Sequence, residues 1–126
     1  MRLLLDTVAF ILALETPAKL GKQAIAALDD PKNVFELSAV SLTELSIKVS
    51  KGKLTLPLNA VVEAIDDLDI RVLPYRKEHA LRLFAVPRHH CDPFDLQLIA
   101  QALYEDMPIV TSDREFQNYK GVRVVW

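Results

Sequence analysis

The sequence has one cysteine among 126 residues and only three glycines. It also lacks any apolar run near the roughly 20 residues that a membrane-spanning helix needs. A lone cysteine, Cys91, excludes an internal disulfide framework. It is expected to be a buried, unreactive thiol in a protein of the reducing cytoplasm. The N-terminus, Met1-Arg2-Leu3-Leu4-Leu5-Asp6, meets a charge too early for the apolar stretch of a signal peptide, and no membrane association is expected. Scarce glycine, with neither repeats nor low-complexity tracts, leaves no flexible linker. A surplus of positive charge is missing too: 15 basic residues face 17 acidic ones, and the net charge of -2 does not advertise a nucleic-acid binder. What is present is ordinary for a globular protein. Apolar residues make up 51% and charged residues 25%, and the length fits one domain, residues 1–126, with a single core.

Strand-like and helix-like patterns alternate along the chain. Residues 2–5 form a short apolar run that stops at Asp6-Thr7, a good capping pair for a following helix. A second helix is expected over 18–28 and a buried strand over 34–40. Ser41 then opens a helix that closes at Lys51-Gly52-Lys53. Residues 57–68 and 77–86 read as helices flanking a strand at 70–73. Asp92-Pro93 begins another helix, with proline at the first helical position, running to about Asp106. Residues 108–111 and 122–125 supply the last strands. The alternation implies an α/β fold with a central, mainly parallel sheet and helices on both faces. Ligands of such sheets bind beyond the carboxyl ends of the strands. Asp6, residues 41–44 and Asp113 each follow a strand directly, so they are expected at one rim.

Each acid at that rim also has a plain structural role open to it. Asp6 can cap the first helix. Ser41-Leu42-Thr43-Glu44 matches a capping box, and Glu44 with Lys48 matches an i,i+4 ion pair. Asp92 can cap the helix that Pro93 starts, and Asp113 can cap a turn through Arg114-Glu115-Phe116. Asp95 strains this reading most. Leu98, Ile99, Ala102 and Leu103 follow it at helical spacing, so its carboxylate heads the apolar stripe, while Gln97, Gln101 and Glu105 are expected on a solvated face. A carboxylate buried there needs a cation, a proton or strong donors. Four neighbouring carboxylates repel unless a cation joins them, and an all-oxygen set suits Mg²⁺ or Mn²⁺, one or two ions. Zinc would more usually recruit His or Cys. Arg88-His89-His90-Cys91-Asp92 offers such groups, but no second cluster of that type exists. With the four acids set aside, thirteen acidic residues remain against fifteen basic ones, a mildly cationic balance that permits an RNA substrate.

Four segments carry a family resemblance. They are Leu3-Leu4-Leu5-Asp6-Thr7; Val40-Ser41-Leu42-Thr43-Glu44-Leu45-Ser46-Ile47-Lys48; His90-Cys91-Asp92-Pro93-Phe94-Asp95 with Leu98-Ile99-Ala100-Gln101-Ala102; and Val110-Thr111-Ser112-Asp113. Over nearly its whole length the chain resembles the PIN-domain nucleases, and among them the VapC-type toxins of bacterial toxin–antitoxin pairs. The resemblance implies a single PIN-like domain in which Asp6, Glu44, Asp95 and Asp113 are metal ligands, directly or through water. It implies that Thr7 and Thr111 are hydroxyls orienting carboxylates or waters. Asp92 is either a further acid of the site or a helix cap. The activity implied is a metal-dependent endoribonuclease, hydrolysing phosphodiester bonds with a water whose pKa the metal lowers, so that no histidine base is required. RNA rather than DNA rests on the resemblance alone. Many relatives carry a basic residue immediately after the acid matching Asp95, whereas this chain has Leu96. Lys48, Arg88 or Arg114 are then the candidate RNA contacts, with Lys51 and Lys53 as further substitutes; each lysine also fits plain solvated charge. His89 and His90 read as surface loop.

A toxin of this kind implies a cognate antitoxin. The helices over 18–28 and 57–68 carry surplus apolar positions, Ile25, Leu28, Val61, Val62 and Ile65, for an antitoxin helix or a homodimer contact. Two other readings stand beside it. An aspartyl nucleophile at Asp6 for phosphoryl transfer is poor, because such sites carry a second acid two residues on and this chain has Val8. A non-catalytic PIN-like module that binds RNA or protein would be favoured by loss of one acid, and none is lost.

Overall fold

The computed structural model describes residues 1–89 and 92–126. Five short strands, β1 (Arg2–Leu5), β2 (Val34–Ser38), β3 (Arg71–Leu73), β4 (Ile109–Val110) and β5 (Val124–Val125), lie in the order β3-β2-β1-β4-β5, each pair parallel. The helices are α1 (Thr7–Glu15), α2 (Lys22–Asp29), α3 (Ala39–Ser50), α4 (Leu58–Asp67), α5 (Lys77–Arg82) and α6 (Pro93–Glu105), with tighter 3₁₀ turns at Pro17–Lys19, Leu83–Ala85 and Arg114–Asn118. This is the α/β fold with a parallel sheet that the alternating pattern implies. No helix among the described residues is long and apolar enough to cross a membrane.

The central strand explains the layering. Leu3 and Leu5 pack with Phe10, Ala24, Leu45 and Val61 on one face of the sheet, while Leu4 packs with Leu98, Ile99 and Phe116 on the other. A strand covered on both faces needs such a continuous apolar run. The chain moves outward from β1 through β2 to β3 and then crosses to the far side for β4 and β5. The sheet therefore reverses direction between β1 and β4. Asp6 leaves the end of β1 and Thr111 leaves the end of β4, with the Asp6 N–H donating to the Val110 carbonyl at 3.1 Å. Such a switch point is where an open α/β sheet leaves a crevice.

Several boundaries differ from the sequence reading, each for a physical reason. β2 ends at Ser38 rather than Val40, and Ser38, not Ser41, caps α3: its hydroxyl accepts the Val40 N–H at 3.0 Å. The capping box expected of Ser41 and Glu44 does not form, because Ser41 already lies within the first turn of the helix and Glu44 is engaged by Thr7 of another element. The helix expected over 18–28 is split before Gly21, which caps α2. A Cβ on Gly21 would lie 2.3 Å from the Trp126 carbonyl carbon, so the C-terminus packs where only glycine leaves room. The helix over 77–86 tightens to 3₁₀ geometry after Arg82. Gly52, at φ 70°, follows α3 as its expected stop.

The solvated face assigned to Gln101 and Glu105 is also corrected. Gln101 is fully buried: the Ser38 hydroxyl donates to its Oε1, and its amide lies 3.3 Å from both the Pro74 carbonyl and His79 Nδ1. His79 Nδ1 accepts the Arg76 N–H at 3.0 Å, so the ring proton sits on Nε2 and faces Glu105 Oε2 at 3.2 Å. Glu105 also accepts from Arg2, 3.0 Å away, and Arg2 pairs with the buried Glu36. Burial alone would raise the Glu105 carboxyl, but the hydrogen bonds from Arg2 and His79 outweigh it and hold the group below its ordinary range. Polar groups thus pin α5 and α6 to the sheet on a face that amphipathicity would leave to water.

Candidate active site

Asp6 ends β1 with an extended backbone, and its Oδ1 accepts the Ala9 N–H at 2.7 Å, so the capping role is real. Its other donor is the Thr111 hydroxyl, whose oxygen in turn accepts the Asp113 N–H at 3.0 Å. The side chain is nonetheless deeply buried, with the residue only 6% exposed. Its carboxyl is pushed up to about 6, first by burial and then by the charges of Glu44 and Asp113, against the pull of the Thr111 and Ala9 bonds. Asp113 caps the turn Arg114–Asn118 by accepting the Glu115 N–H at 2.9 Å.

Glu44 lies one and a half turns into α3 and is 5% exposed. Thr7, the first residue of α1, places Oγ1 2.6 Å from Glu44 Oε1 and 3.0 Å from the buried Ser41 Oγ. A hydroxyl has one proton and a carboxylate only accepts, so Thr7 donates to Glu44 and Ser41 donates to Thr7. The second Glu44 oxygen, Oε2, is 2.7 Å from Lys48 Nζ. Hydrogen bonding to Glu44 raises the Lys48 pKa above its ordinary value; burial opposes this, and the charges of Glu44, Asp92 and Asp95 add to it. The last turn of α3 is therefore beside the first turn of α6. There Asp92 caps the helix, its Oδ1 2.8 Å from the Phe94 N and 3.3 Å from the Asp95 N.

Electrostatic contact thus runs from Asp113 to Asp6, from Asp6 to Glu44, and through Lys48 to Asp92 and Asp95. The depth of burial differs from the sequence reading. Asp95, expected to be the acid most in need of a cation, is half-buried, whereas Asp6 and Glu44 are the deeply buried pair. Leu96 is buried in the core beside Leu98 and Ile99, so this position presents no group to a phosphate. Arg114 is exposed directly after Asp113, Arg88 is exposed ahead of α6, and Lys51 and Lys53 are solvated. His89 is exposed and meets the Tyr119 ring edge-on at 5.3 Å. The readings of His90 as surface loop and Cys91 as buried thiol fall outside the described residues. Sequence reasoning missed Ser41 as a buried donor to Thr7; its only sequence signal is its place three residues before Glu44, on the same helix face.

Among the described residues, no three His, Cys, Asp or Glu groups converge closely enough to form a preassembled metal cage. The donor chemistry still suits a hard divalent cation, with all-oxygen ligands, one of them buried with a raised pKa, and such ions commonly complete their coordination with water. Asp6, Glu44 and Asp113 could hold such an ion on one side and Asp95 on the other.

The same arrangement of sheet and helices occurs in solved structures. VapBC2 from Rickettsia felis, bound to a DNA fragment from its promoter, superposes with a TM-score of 0.76 at 16% identity, over 98% of this chain and 97% of that one. DNA-bound VapBC from Salmonella typhimurium gives 0.73 at 17% identity, over 98% and 96%. FitAcB from Neisseria gonorrhoeae gives 0.60 at 20% identity, over 97% and 95%. At these identities the likeness concerns the fold. No curated protein sequence matches the chain. The sequence profile of the PIN domain matches residues 3–122, which takes in all four acids and both threonines. With that match over nearly its whole length and a five-stranded parallel sheet whose switch point carries Asp6, the chain belongs to the PIN-domain family.

Proposed function

We propose that this protein is a metal-dependent endoribonuclease and the toxin of a toxin–antitoxin pair, with Asp6, Glu44, Asp95 and Asp113 holding Mg²⁺ or Mn²⁺. The observation that carries the reading is the Asp6 carboxyl, buried at the switch point and pushed up to about 6 by burial and by Glu44 and Asp113. A site that disfavours its own negative charge gains most from a bound cation. A divalent cation there supplies an activated water and positive charge at the phosphodiester. The chain's own residues do the holding: Thr7 fixes the Glu44 carboxylate, Thr111 fixes Asp6, and Asp92 anchors the turn that carries Asp95. The exposed Arg88 and Arg114 are the cations available to the RNA backbone, while Lys48, the third candidate, is engaged by Glu44.

The toxin role draws on the PIN family and on folds shared with the toxin–antitoxin assemblies. The partner surface we assign is an open apolar groove between α3 and α4, lined by Leu42, Val49, Leu58, Val62 and Ile65. It suits the apolar face of an antitoxin helix, and a homodimer is expected beside it. Of the apolar residues singled out in the sequence, Val62 and Ile25 are exposed, Leu28 and Ile65 half-buried and Val61 buried.

The test is cleavage of RNA by the purified protein in Mg²⁺, Mn²⁺ or EDTA, beside Asp6→Asn and Asp95→Asn. Cleavage is expected only with metal, and each variant should lose more than the roughly 10–100-fold typical of residues that merely orient a ligand. Full activity in EDTA, or undiminished activity in both variants, would sink the mechanism. Metal binding without cleavage of any tested RNA would assign the chain to the non-catalytic, RNA- or protein-binding alternative.

A further inference from the structure

Lys48 lies within the acidic site. Its stem runs along α3 with 42% of the side chain exposed, and its ammonium rests 2.7 Å from Oε2 of a carboxylate that is itself almost wholly buried. The other Glu44 oxygen is taken by Thr7 at 2.6 Å. Both oxygens of Glu44 are therefore engaged by protein donors, one neutral and one cationic. The charges of Asp92 and Asp95 act on the same ammonium from the first turn of α6, while those of Asp113 and Glu44 act on Asp6. The cluster thus divides into two halves that share Glu44. One half, around Glu44 and the start of α6, already has a positive charge built into the chain. In the other half Asp6 is buried and carries the repulsion of both Glu44 and Asp113.

We propose that Lys48 is a resident second cation of this site, so that the protein takes a single divalent ion on the Asp6 and Asp113 side while the Lys48 ammonium neutralises Glu44 and the acids of α6. This rests on the metal-site reading above and narrows it, with one ion held by Asp6 and Asp113 and with Glu44 and Asp95 neutralised by Lys48 instead of by a second ion. A second divalent ion at Glu44 would have to displace the ammonium from Oε2 and then sit beside a like charge on a tether four bonds past Cβ. Lys48 is a positioning residue in this account: it acts through Glu44 and sets how many ions the carboxylates admit. The i,i+4 spacing that suits a surface ion pair here delivers the cation into the site, because Glu44 is the inward end of the pair.

The experiment is calorimetric titration of metal-free protein with Mn²⁺, for wild type, Lys48→Gln, Lys48→Arg and Asp6→Asn, with circular dichroism in EDTA to confirm folding. Wild type and Lys48→Arg should bind one Mn²⁺. Lys48→Gln should bind a second, or bind it tighter by on the order of ten-fold or more. Two ions in wild type, unchanged in Lys48→Gln, would overturn the inference and leave the metal site standing. A single ion in both would overturn it equally, as would a Lys48→Arg variant that behaves like Lys48→Gln. No binding by wild type, or binding undiminished in Asp6→Asn, would remove the metal-site reading and this inference with it. A second measurement uses only wild type: the rate of Lys48 acetylation, read by mass spectrometry as Mn²⁺ is added. The rate should stay flat or fall at saturation, because the ammonium keeps its place; acceleration would mean that an ion displaces it and would overturn the proposal.

Discussion

Asp6→Asn should make the metal-free protein more stable at neutral pH, although it alters a helix cap and a buried residue. The folded-state pKa of Asp6, about 6, stands above the ordinary 3.8, so the folded chain holds the proton more tightly than the unfolded chain. For a group raised in this way, folded stability is greatest below the unfolded pKa and is lost as pH rises from 3.8 through about 6. Above that window the gap corresponds to about 3 kcal/mol of lost stability, at 1.36 kcal/mol per pKa unit. Glu44 and Asp113 are the charged neighbours behind part of it, and burial behind most. Asparagine keeps an oxygen for the Ala9 N–H but no longer accepts from the Thr111 hydroxyl, a loss of about 1 kcal/mol. The net expectation is a gain of about 2 kcal/mol at pH 7 in EDTA, or about 5–10 °C in melting temperature for a domain of this size. The two melting curves should draw together as pH falls, and below about pH 4 wild type should lead by the Thr111 bond alone. Saturating Mn²⁺ should reverse the order at pH 7, because an ion at 100 times its Kd adds about 2.7 kcal/mol to the protein that binds it. The reasoning is refuted if Asp6→Asn is the less stable protein at pH 7 in EDTA, or if its advantage does not shrink between pH 7 and pH 4.

Two further substitutions probe the hydrogen bonds that hold the site and the sheet. Thr7→Val removes the hydroxyl 2.6 Å from Glu44 Oε1 and strands the Ser41 hydroxyl, and should cost about 1–3 kcal/mol in a urea melt. RNA cleavage should fall with it, while Thr7→Ser should restore both. Gln101→Leu keeps the bulk but leaves the Ser38 hydroxyl and the Pro74 carbonyl without their side-chain partner while leaving all four acids in place. It should lower stability by about 1–3 kcal/mol in the same assay, with metal binding unchanged by calorimetry; a neutral outcome would mean that water replaces the amide.

The rim was legible because the rules that put the acids there are local. Asp6, Asp92 and Asp113 each cap a helix or turn, as their sequence contexts require, and the parallel sheet then gathers those starts at one edge. Capping does not exclude a further role for these carboxylates, since Asp6 caps α1 and still feels the charges of Glu44 and Asp113. What the sequence hid is the depth of each group. Asp95 drew attention through its apolar stripe, yet the first turn of a helix is its most open part and leaves the residue half-buried. Glu44 resembled a surface capping box because Ser41 lies three residues before it, but a strand that ends at Ser38 moves the helix start and turns Glu44 inward to Thr7. Gln101 resembled a solvated position because its partners, Ser38 and His79, lie 63 and 22 residues away. Lys48 follows the same logic: an ordinary i,i+4 partner by spacing, it becomes part of the site only because a different element buries Glu44. Local pattern therefore sets the acids at the starts of helices and turns, and long-range burial decides which of them most needs a cation, which is why Asp6, more than Asp95, is the residue on which metal binding should depend.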